Sequence, residues 1–321
     1  MTDILITGAT GFVGSHLVEA LAAQGARARV LVRETSDTSF LDRHGFETVM
    51  GSLGDEASLR KAVAGTRTVL HMAAATRALD ADTFHRINAK GTENLVAALK
   101  AEGGDQRLVY LSSLAAVGPA EGRPVRPGDE PRPLTAYGRS KRAGERAVLE
   151  RAAGGAVIRA PAVYGPRDRD LLPFFRLARS GILPVVGPPD RRVQLVHAGD
   201  LAAAMVAAAN VRGATGVYHV AEPRAYAWDE ILGLMAETMG RRGRRIRVPV
   251  AVVKTAAAVS EGVARLTRRP VIFDRDKAKE LMAEWLCETE TARQELGFEA
   301  EVVLADGLRE TADWYRTYGW L

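Results

Sequence analysis

The chain has 321 residues, 47% hydrophobic and 26% charged, ordinary globular usage that excludes a disordered chain or a fibrous repeat. At about 150 residues per domain, the length calls for one large domain or two modest ones. Its 44 Lys and Arg against 39 Asp and Glu leave a net +5, which favours an anionic ligand but is too diffuse to imply nucleic acid.

Short apolar, β-branched runs recur from the start: Ile4-Leu5-Ile6, Val30-Leu31-Val32, Thr48-Val49-Met50, Val69-Leu70-His71-Met72, Leu108-Val109-Tyr110-Leu111, Val157-Ile158 and Val217-Tyr218-His219-Val220. Between the early ones, Val13, Leu17 and Leu21, and later Leu95 and Leu99, keep the three- and four-residue spacing of a buried helical face. Strands alternating with helices predict an α/β fold, a Rossmann-type doubly wound parallel sheet of about seven strands covered on both faces. From about Pro166 the rhythm changes: Leu171 to Val186 carries Pro173 and Pro184, and the tail after Glu222 reads mostly as helices. A smaller, mostly helical C-terminal substrate domain follows, and it is discontinuous. Gln194-Leu195-Val196, a helix from Leu201 to Asn210, and Val217 to Val220 would return to the sheet. The expected division is 1–165 with 193–222 for the nucleotide-binding domain, and 166–192 with 223–321 for the substrate domain.

Five arginines, Arg241, Arg242, Arg244, Arg245 and Arg247, cluster where a solvated turn is expected. Cys287 is the single cysteine, so no intrachain disulfide forms and a reducing compartment is expected. The sequence runs directly into its first strand without a basic leader, and its apolar stretches fall short of the roughly 18 to 20 clean residues of a membrane span. A cytoplasmic protein without membrane contact is the expectation. No cluster of His, Cys and acids has ligand spacing, so no metal site is expected.

The first strand leads into Gly8-Ala9-Thr10-Gly11-Phe12-Val13-Gly14 and then a helix. Glycines three apart let the turn tighten and the backbone approach a diphosphate, while the helix's free N–H groups stabilise its charge. This is a dinucleotide-binding start. At the end of the second strand an NAD-selective site places an acid on the ribose 2′-OH, whereas Arg33 stands here and suits a 2′-phosphate. NADP(H) is therefore favoured, with NAD(H) possible because Glu34 would serve as the ribose acid after a one-residue change of register. Further on, Tyr137 and Lys141 lie four apart on one helical face, so a lysine charge would favour the phenolate.

Taken with Ser112-Ser113 after the fifth strand, the glycine start and the Tyr-Lys pair make the chain similar to the extended short-chain dehydrogenase/reductases, the NAD-dependent epimerase/dehydratase family. Further matches are His71-Met72-Ala73-Ala74, Asn88 to Leu95, Arg159 to Pro166, and Val196 to Leu201. The resemblance implies a Ser-Tyr-Lys mechanism. Tyr137 is then the acid/base, Lys141 lowers its pKa and holds the nicotinamide ribose, Ser113 hydrogen-bonds the substrate oxygen, and Asn88 shapes the active-site loop or holds a water. If Val117 rather than Ala116 matches the family's Val-Tyr-Gly, Leu114 takes the place of Ser113, and Ser112 then reads as a hydroxyl ending a strand. Cofactor contact is implied for Gly8, Thr10, Gly11, Phe12, Val13, Gly14 and Arg33, for Ser52, Leu53, Met72, Ala73, Ala74 and Ser112, and for Tyr137, Lys141, Pro161 and Val163. Ser52 stands where many relatives place an Asp near the adenine, so that contact is weaker or comes from Asp55. His71 and His197 are expected to pack at strand ends.

The fold does not choose among the family's reactions. Ser113-Leu114-Ala115 replaces the Thr-Asp-Glu of sugar dehydratases, which removes that chemistry. Val193 stands where epimerases often carry a diphosphate-binding Arg, though Arg191 and Arg192 are adjacent. The pattern most resembles the dihydroflavonol-reductase and 3β-hydroxysteroid-dehydrogenase branches. It implies an oxidoreductase interconverting a secondary alcohol and a ketone on a mainly apolar small molecule. A nucleotide-sugar epimerase with tightly held NAD, and a non-catalytic cofactor-sensing module, are the alternatives. Relatives pair through two long helices, here Asn88 to Lys100 and Tyr137 to Ala153, so a homodimer is implied.

Overall fold

The computed structural model describes residues 3–151, 153–187, 191–269, 271 and 273–321. Residues 188–190, inside the expected substrate domain, and residue 152, inside the expected pairing helix, lie outside the described residues. One parallel sheet is built from β1 (Ile4–Thr7), β2 (Ala28–Val32), β3 (Glu47–Met50), β4 (Thr68–His71), β5 (Arg107–Ser113), β6 (Ala156–Ala160) and Gly216–His219. Across the sheet the order is β3, β2, β1, β4, β5, β6 and Gly216–His219, with every neighbouring pair parallel. Each of the seven apolar runs supplies one of these strands.

The chain order reverses between β1 and β4, and a crevice opens beyond the carboxyl ends of the two strands. Alternation along β1 explains why both faces are covered. Ile6 joins Val30, Leu70, Val109 and Ile158 under α1 (Phe12–Ala23) and the helix Ala198–Asn210. Leu5 faces the other way and packs with Val69, Leu95 and Leu99.

The run at Leu195 departs from the expectation. Leu195–His197 pairs in parallel with Ala162–Tyr164, outside the main sheet. Pro161 separates β6 from Ala162–Tyr164; a proline has no N–H for the ladder, so the strand is broken there and the continuation takes a new partner.

A second core gathers Phe175, Leu195, Trp228, Ile231, Leu308 and Tyr315, drawn from the helices Leu172–Arg179, Trp228–Thr238 and Leu304–Thr317 and from the Leu195–His197 strand. Ile182–Val186 pairs in parallel with Arg244–Val248, so part of the expected arginine-rich turn is strand. The helix Glu290–Leu296 turns back to the main sheet, burying Ala292 and Leu296 in the core on one of its faces. Among the described residues no helix is long and apolar enough to cross a membrane.

Three buried histidines fix how this packing responds to acid. Burial is the main cause in each case: it lowers His16 to about 4 and His71 and His219 to about 3. Between those values and about 6.5 the unfolded chain takes up protons that the folded chain refuses, so stability falls as pH drops through this window. Denaturant midpoints should decline steadily from pH 7 to pH 5, with a contribution of about 1.4 kcal/mol per histidine per pH unit. Midpoints that stay level would remove these histidines from the acid response.

Candidate active site

The crevice floor is made by backbone packed against backbone. Gly8, at the end of β1, has φ +80°, and a Cβ there would lie 2.6 Å from the Ala73 N. At Gly14 a Cβ would run into the Gly8 carbonyl oxygen and come within 2.7 Å of the Ala9 Cα. The Gly11 N–H donates to the Gly8 carbonyl at 3.1 Å, which closes the turn. Gly11 also caps α1, and no side chain accepts from the helix's first amides. Those amides and the positive helix end fit the diphosphate of a dinucleotide, since a short, side-chain-free turn lets it approach them closely.

Beyond β2, Arg33 and Glu34 are exposed in a turn closed by the Ser36 N–H donating to the Arg33 carbonyl at 2.9 Å. Asp55 is taken up by its own helix, Glu56–Val63, where its Oδ1 accepts from the Ala57 N–H at 3.1 Å. Ser52 binds through its backbone N–H to the Ser58 Oγ at 3.2 Å. Leu53 packs on Gly91 and accepts from the Asn94 amide at 2.8 Å.

Asn88 lies in a π-helical turn, His85–Lys90. Its Oδ1 accepts from the Ala75 N–H at 2.7 Å, and its Nδ2 donates to the Ala75 carbonyl and to the Ser140 Oγ, both at 2.9 Å. It is buried with both ends of its amide satisfied, and it ties the loop after Ala74 to the helix that carries Tyr137.

That helix, Ala136–Leu149, starts at Thr135, whose Oγ1 accepts from the Gly138 N–H at 3.0 Å. A side chain at 138 would collide with the Ala115 carbonyl oxygen, and one at 144 would lie 2.6 Å from the Tyr110 hydroxyl. These glycines let the helix settle against β5 and the turn Leu114–Ala116. Tyr137 is thereby held beside Ser113, with the Phe84 ring edge-on at 5.9 Å. Ser113 also accepts from the Ala115 N–H at 3.1 Å, which fixes its hydroxyl.

Electrostatics at this point differ from the expected lysine effect. Burial pushes the Tyr137 phenol above its ordinary value, with the Glu280 carboxylate adding to the rise and Ser113 opposing it. Lys141 is turned elsewhere: its Nζ donates to the Leu111 carbonyl at 2.6 Å and sits 4.2 Å from the Tyr110 ring centre. Burial lowers Lys141 to about 7, with Glu145 opposing. The phenol is therefore protonated at neutral pH, and burial makes the lysine easier to deprotonate than a free one.

Beneath this pair the sequence reading missed a buried ion network. Arg159 grips Glu145 with two bonds of 2.8 Å, and the Ser112 hydroxyl donates to the same carboxylate at 2.6 Å. Glu145 and Arg159 are 0% and 1% exposed. Ser112 is thus engaged inward, whereas Ser113 stands beside Tyr137. The signal for Glu145 lay in its position one turn beyond Lys141 on the same face.

The helix Arg275–Met282 meets the start of this helix, where Asp276 accepts from the Ala136 N–H at 3.1 Å and Glu280 accepts from Thr135 at 3.0 Å. An Arg77–Asp170 ion pair links the loop after Ala75 to the loop after Pro166. His71 and His197 lie at strand ends, buried. Pro161 and Val163 lie at the β6 break. Among the described residues no group of three or more His, Cys, Asp or Glu gathers to hold a metal ion.

Residues 4–221 match the model of the NAD dependent epimerase/dehydratase family. The chain belongs to this family. As a member of the NAD dependent epimerase/dehydratase family, it is an NAD(P)-dependent enzyme of the short-chain dehydrogenase/reductase type. It is 37% identical over 322 residues to a ceramide reductase of Caulobacter vibrioides, covering 99% of this chain and 96% of that one. It is 30% identical to a 4-hydroxy-2-methyl-3-oxo-4-farnesyl-3,4-dihydroquinoline-1-oxide ketoreductase of Stigmatella aurantiaca, covering 94% and 93%. Among solved structures it is similar to gox2253, with TM-score 0.83, 25% identity and full coverage of both chains. It is also similar to MoeE5 in complex with UDP-glucuronic acid and NAD, with TM-score 0.76, 26% identity and coverage of 98% and 99%.

Two substitutions test the site's framework. Gly14→Ala should destabilise the fold by about 1–3 kcal/mol, the usual cost of overpacking, and weaken cofactor binding in a fluorescence titration; unchanged affinity would separate the glycine turn from the cofactor. Glu145→Ala leaves Arg159 buried without its partner and should cost about 3–5 kcal/mol by urea denaturation. A loss within the range of a surface substitution would mean the network contributes nothing.

Proposed function

We propose that this enzyme is an NADP(H)-dependent oxidoreductase that interconverts a secondary alcohol and a ketone on a mainly apolar small molecule. The observation that carries the reading is the protonated Tyr137 phenol held beside the fixed hydroxyl of Ser113 at the cleft. A protonated phenol beside a fixed hydroxyl is placed to give a proton to a carbonyl oxygen, as ketone reduction requires.

The Gly8 to Gly14 turn would hold the cofactor's diphosphate and Arg33 its 2′-phosphate; bound there, the nicotinamide supplies the hydride. Ser113 donates to the substrate carbonyl oxygen and stabilises the charge that develops on it. Tyr137 passes its proton to that oxygen, and the Ser113 hydroxyl beside it favours the phenolate left behind. Asn88 holds the Ala75 loop and the Tyr137 helix in one geometry.

A ketone reductase is supported over an epimerase by two independent considerations. The 37% and 30% relatives are named for reductase chemistry, one for ceramide and one for a farnesyl-bearing ketone. The buried Val193 stands where a diphosphate-binding arginine would be needed. The epimerase reading draws on MoeE5 with UDP-sugar and on Arg191, buried over Trp228 at 5.4 Å with Nε and Nη2 unpartnered among the described residues. In the reductase those donors, with the indole N–H of Trp228, suit a polar oxygen at the head of an otherwise apolar substrate. A cytoplasmic homodimer pairing through Gly91–Ala101 and Ala136–Leu149 completes the reading.

Oxidation of NADPH and NADH with long-chain ketones is the direct assay. Tyr137→Phe should lower turnover by about 10²- to 10⁴-fold with cofactor binding intact; retained turnover would exclude Tyr137 as the acid. Arg33→Ala should raise the KM for NADPH by about 10- to 100-fold, the loss of a charged hydrogen bond, and leave that for NADH nearly unchanged. Equal effects on both would overturn the NADP(H) preference. NAD carried through purification together with stabilisation by UDP-sugars would favour the epimerase.

A further inference from the structure

The helix Val250–Thr267 is attached by one narrow side. Val253 and Ala257 pack with Val186 and Ala278, and Ala264 lies on the same side, also buried. The opposite side is apolar too. Val252, Ala256, Val259, Val263 and Leu266 follow the four- and three-residue steps of a single helical stripe, and all five are exposed. The four large ones are 54%, 62%, 49% and 86% exposed in chain order. Scattered surface hydrophobics are ordinary, but a continuous stripe along about four turns of helix marks a contact surface.

Charge is concentrated around the same element. Residues 241–269 carry nine Lys and Arg against one acid, Glu261, a net +8. The whole chain is only +5, so the remaining residues sum to −3. Arg241, Arg242, Arg244, Arg245 and Arg247 precede the helix, and Arg265, Arg268 and Arg269 stand at its far end. Every one of these arginines is exposed. Glu261 is engaged by Arg265 and Arg275, and Asp229 by Arg245, while the other seven basic groups make no ion pair within 4 Å among the described residues. Ile246, on the strand leading to the helix, adds a further exposed apolar side chain.

An apolar stripe with basic groups at both ends matches an anionic lipid surface: acyl chains accept the stripe and headgroup phosphates accept the guanidiniums. A nucleic acid would use the charge but leave the stripe in water, and a purely apolar protein partner would have no use for the charge. We propose that residues 241–269 form a docking surface by which this enzyme lies on an anionic bilayer without spanning it. The inference stands on this surface alone and replaces both the expectation of a solvated arginine turn and that of no membrane contact.

Flotation with vesicles of phosphatidylcholine alone, and of phosphatidylcholine with phosphatidylglycerol, tests it on the full-length protein. Binding to the anionic vesicles should exceed binding to the neutral ones by about 10-fold or more and fall when salt shortens the screening length from about 10 Å at 0.1 M to about 3 Å at 1 M. Val259→Asp combined with Val263→Asp and Leu266→Asp, all at exposed positions, should lower vesicle binding by about 10-fold or more. Its thermal melt, and its turnover of a short water-soluble ketone, should match the wild type, which separates docking from catalysis. Equal binding to both kinds of vesicle, or unaltered binding by the triple variant, would overturn the proposal. So would a triple variant that turns a dimer into monomers in sedimentation, which would make the stripe a subunit contact. Salt-sensitive binding to duplex DNA that ignores the triple substitution, without vesicle binding, would reassign the charge to nucleic acid.

Discussion

A chain of hydrogen bonds through the buried imidazole of His71 joins the parts of this site that sequence keeps far apart. The Ala73 N–H donates to the Thr7 Oγ1 at 3.2 Å, and that hydroxyl meets the His71 Nδ1 at 2.6 Å. On the other side the His71 Nε2 meets the Thr92 Oγ1 at 3.0 Å, and the Thr92 hydroxyl donates to the Asn88 carbonyl at 2.6 Å. Each hydroxyl has one proton, so the pattern assigns Nε2 as the protonated nitrogen and Nδ1 as the acceptor. A charged imidazolium would leave two donors facing each other at Thr7, in agreement with the strong lowering of its pKa by burial. The neutral ring thus locks the ends of β1 and β4, where the glycine turn lies, to the π-helical turn that carries Asn88. π-turns inside helices are frequent at functional sites because the widened turn frees backbone groups. Here Thr92 reaches back to one of those carbonyls.

A second constraint acts on the other wall. Because Gly138 and Gly144 carry no side chain, the helix Ala136–Leu149 approaches β5 closely enough for Tyr137 to meet Ser113, Lys141 the Leu111 carbonyl, and Glu145 both Ser112 and Arg159. Successive turns of one helix therefore carry a phenol, an amine and a buried carboxylate, each with a different partner along the same strand. The division of labour between the adjacent serines follows from strand geometry: neighbouring side chains point to opposite faces. Ser112 enters the ion network, and Ser113, at the strand's end, stands beside Tyr137.

The legible part of this structure was the part with a period or a spacing. Apolar runs such as Leu5 and Val69 named the sheet strands because a doubly covered sheet buries both faces. The glycines at 8, 11 and 14, and the pair Tyr137 and Lys141, marked the two walls of the crevice. What stayed hidden has no local signal. Nothing near Pro161 announced that Leu195–His197 would pair with Ala162–Tyr164, because pairing across thirty residues is a tertiary event. The resemblance pointed to Lys141 as the group that lowers Tyr137, yet a shared helical face does not decide which way a long, flexible side chain turns. The Leu111 carbonyl and the Tyr110 ring offer it better partners.

The arginine-rich segment shows how composition averaged over a chain can conceal a surface. A net +5 spread over 321 residues is unremarkable, but the average conceals a mildly acidic body and a strongly basic appendage. The apolar residues of Val250–Thr267 suit a helix, but only their exposure divides them into a narrow buried side and a wider bare one. The bare side lies on the element that also packs against Ala278, in the helix Arg275–Met282 whose Asp276 and Glu280 bond the start of the Tyr137 helix. The exposed stripe and the carboxylates that bond the start of the Tyr137 helix thus lie on two neighbouring helices in one small packing unit. On the proposed reading of an apolar substrate and a docked enzyme, that adjacency would shorten the passage from a lipid surface to the phenol.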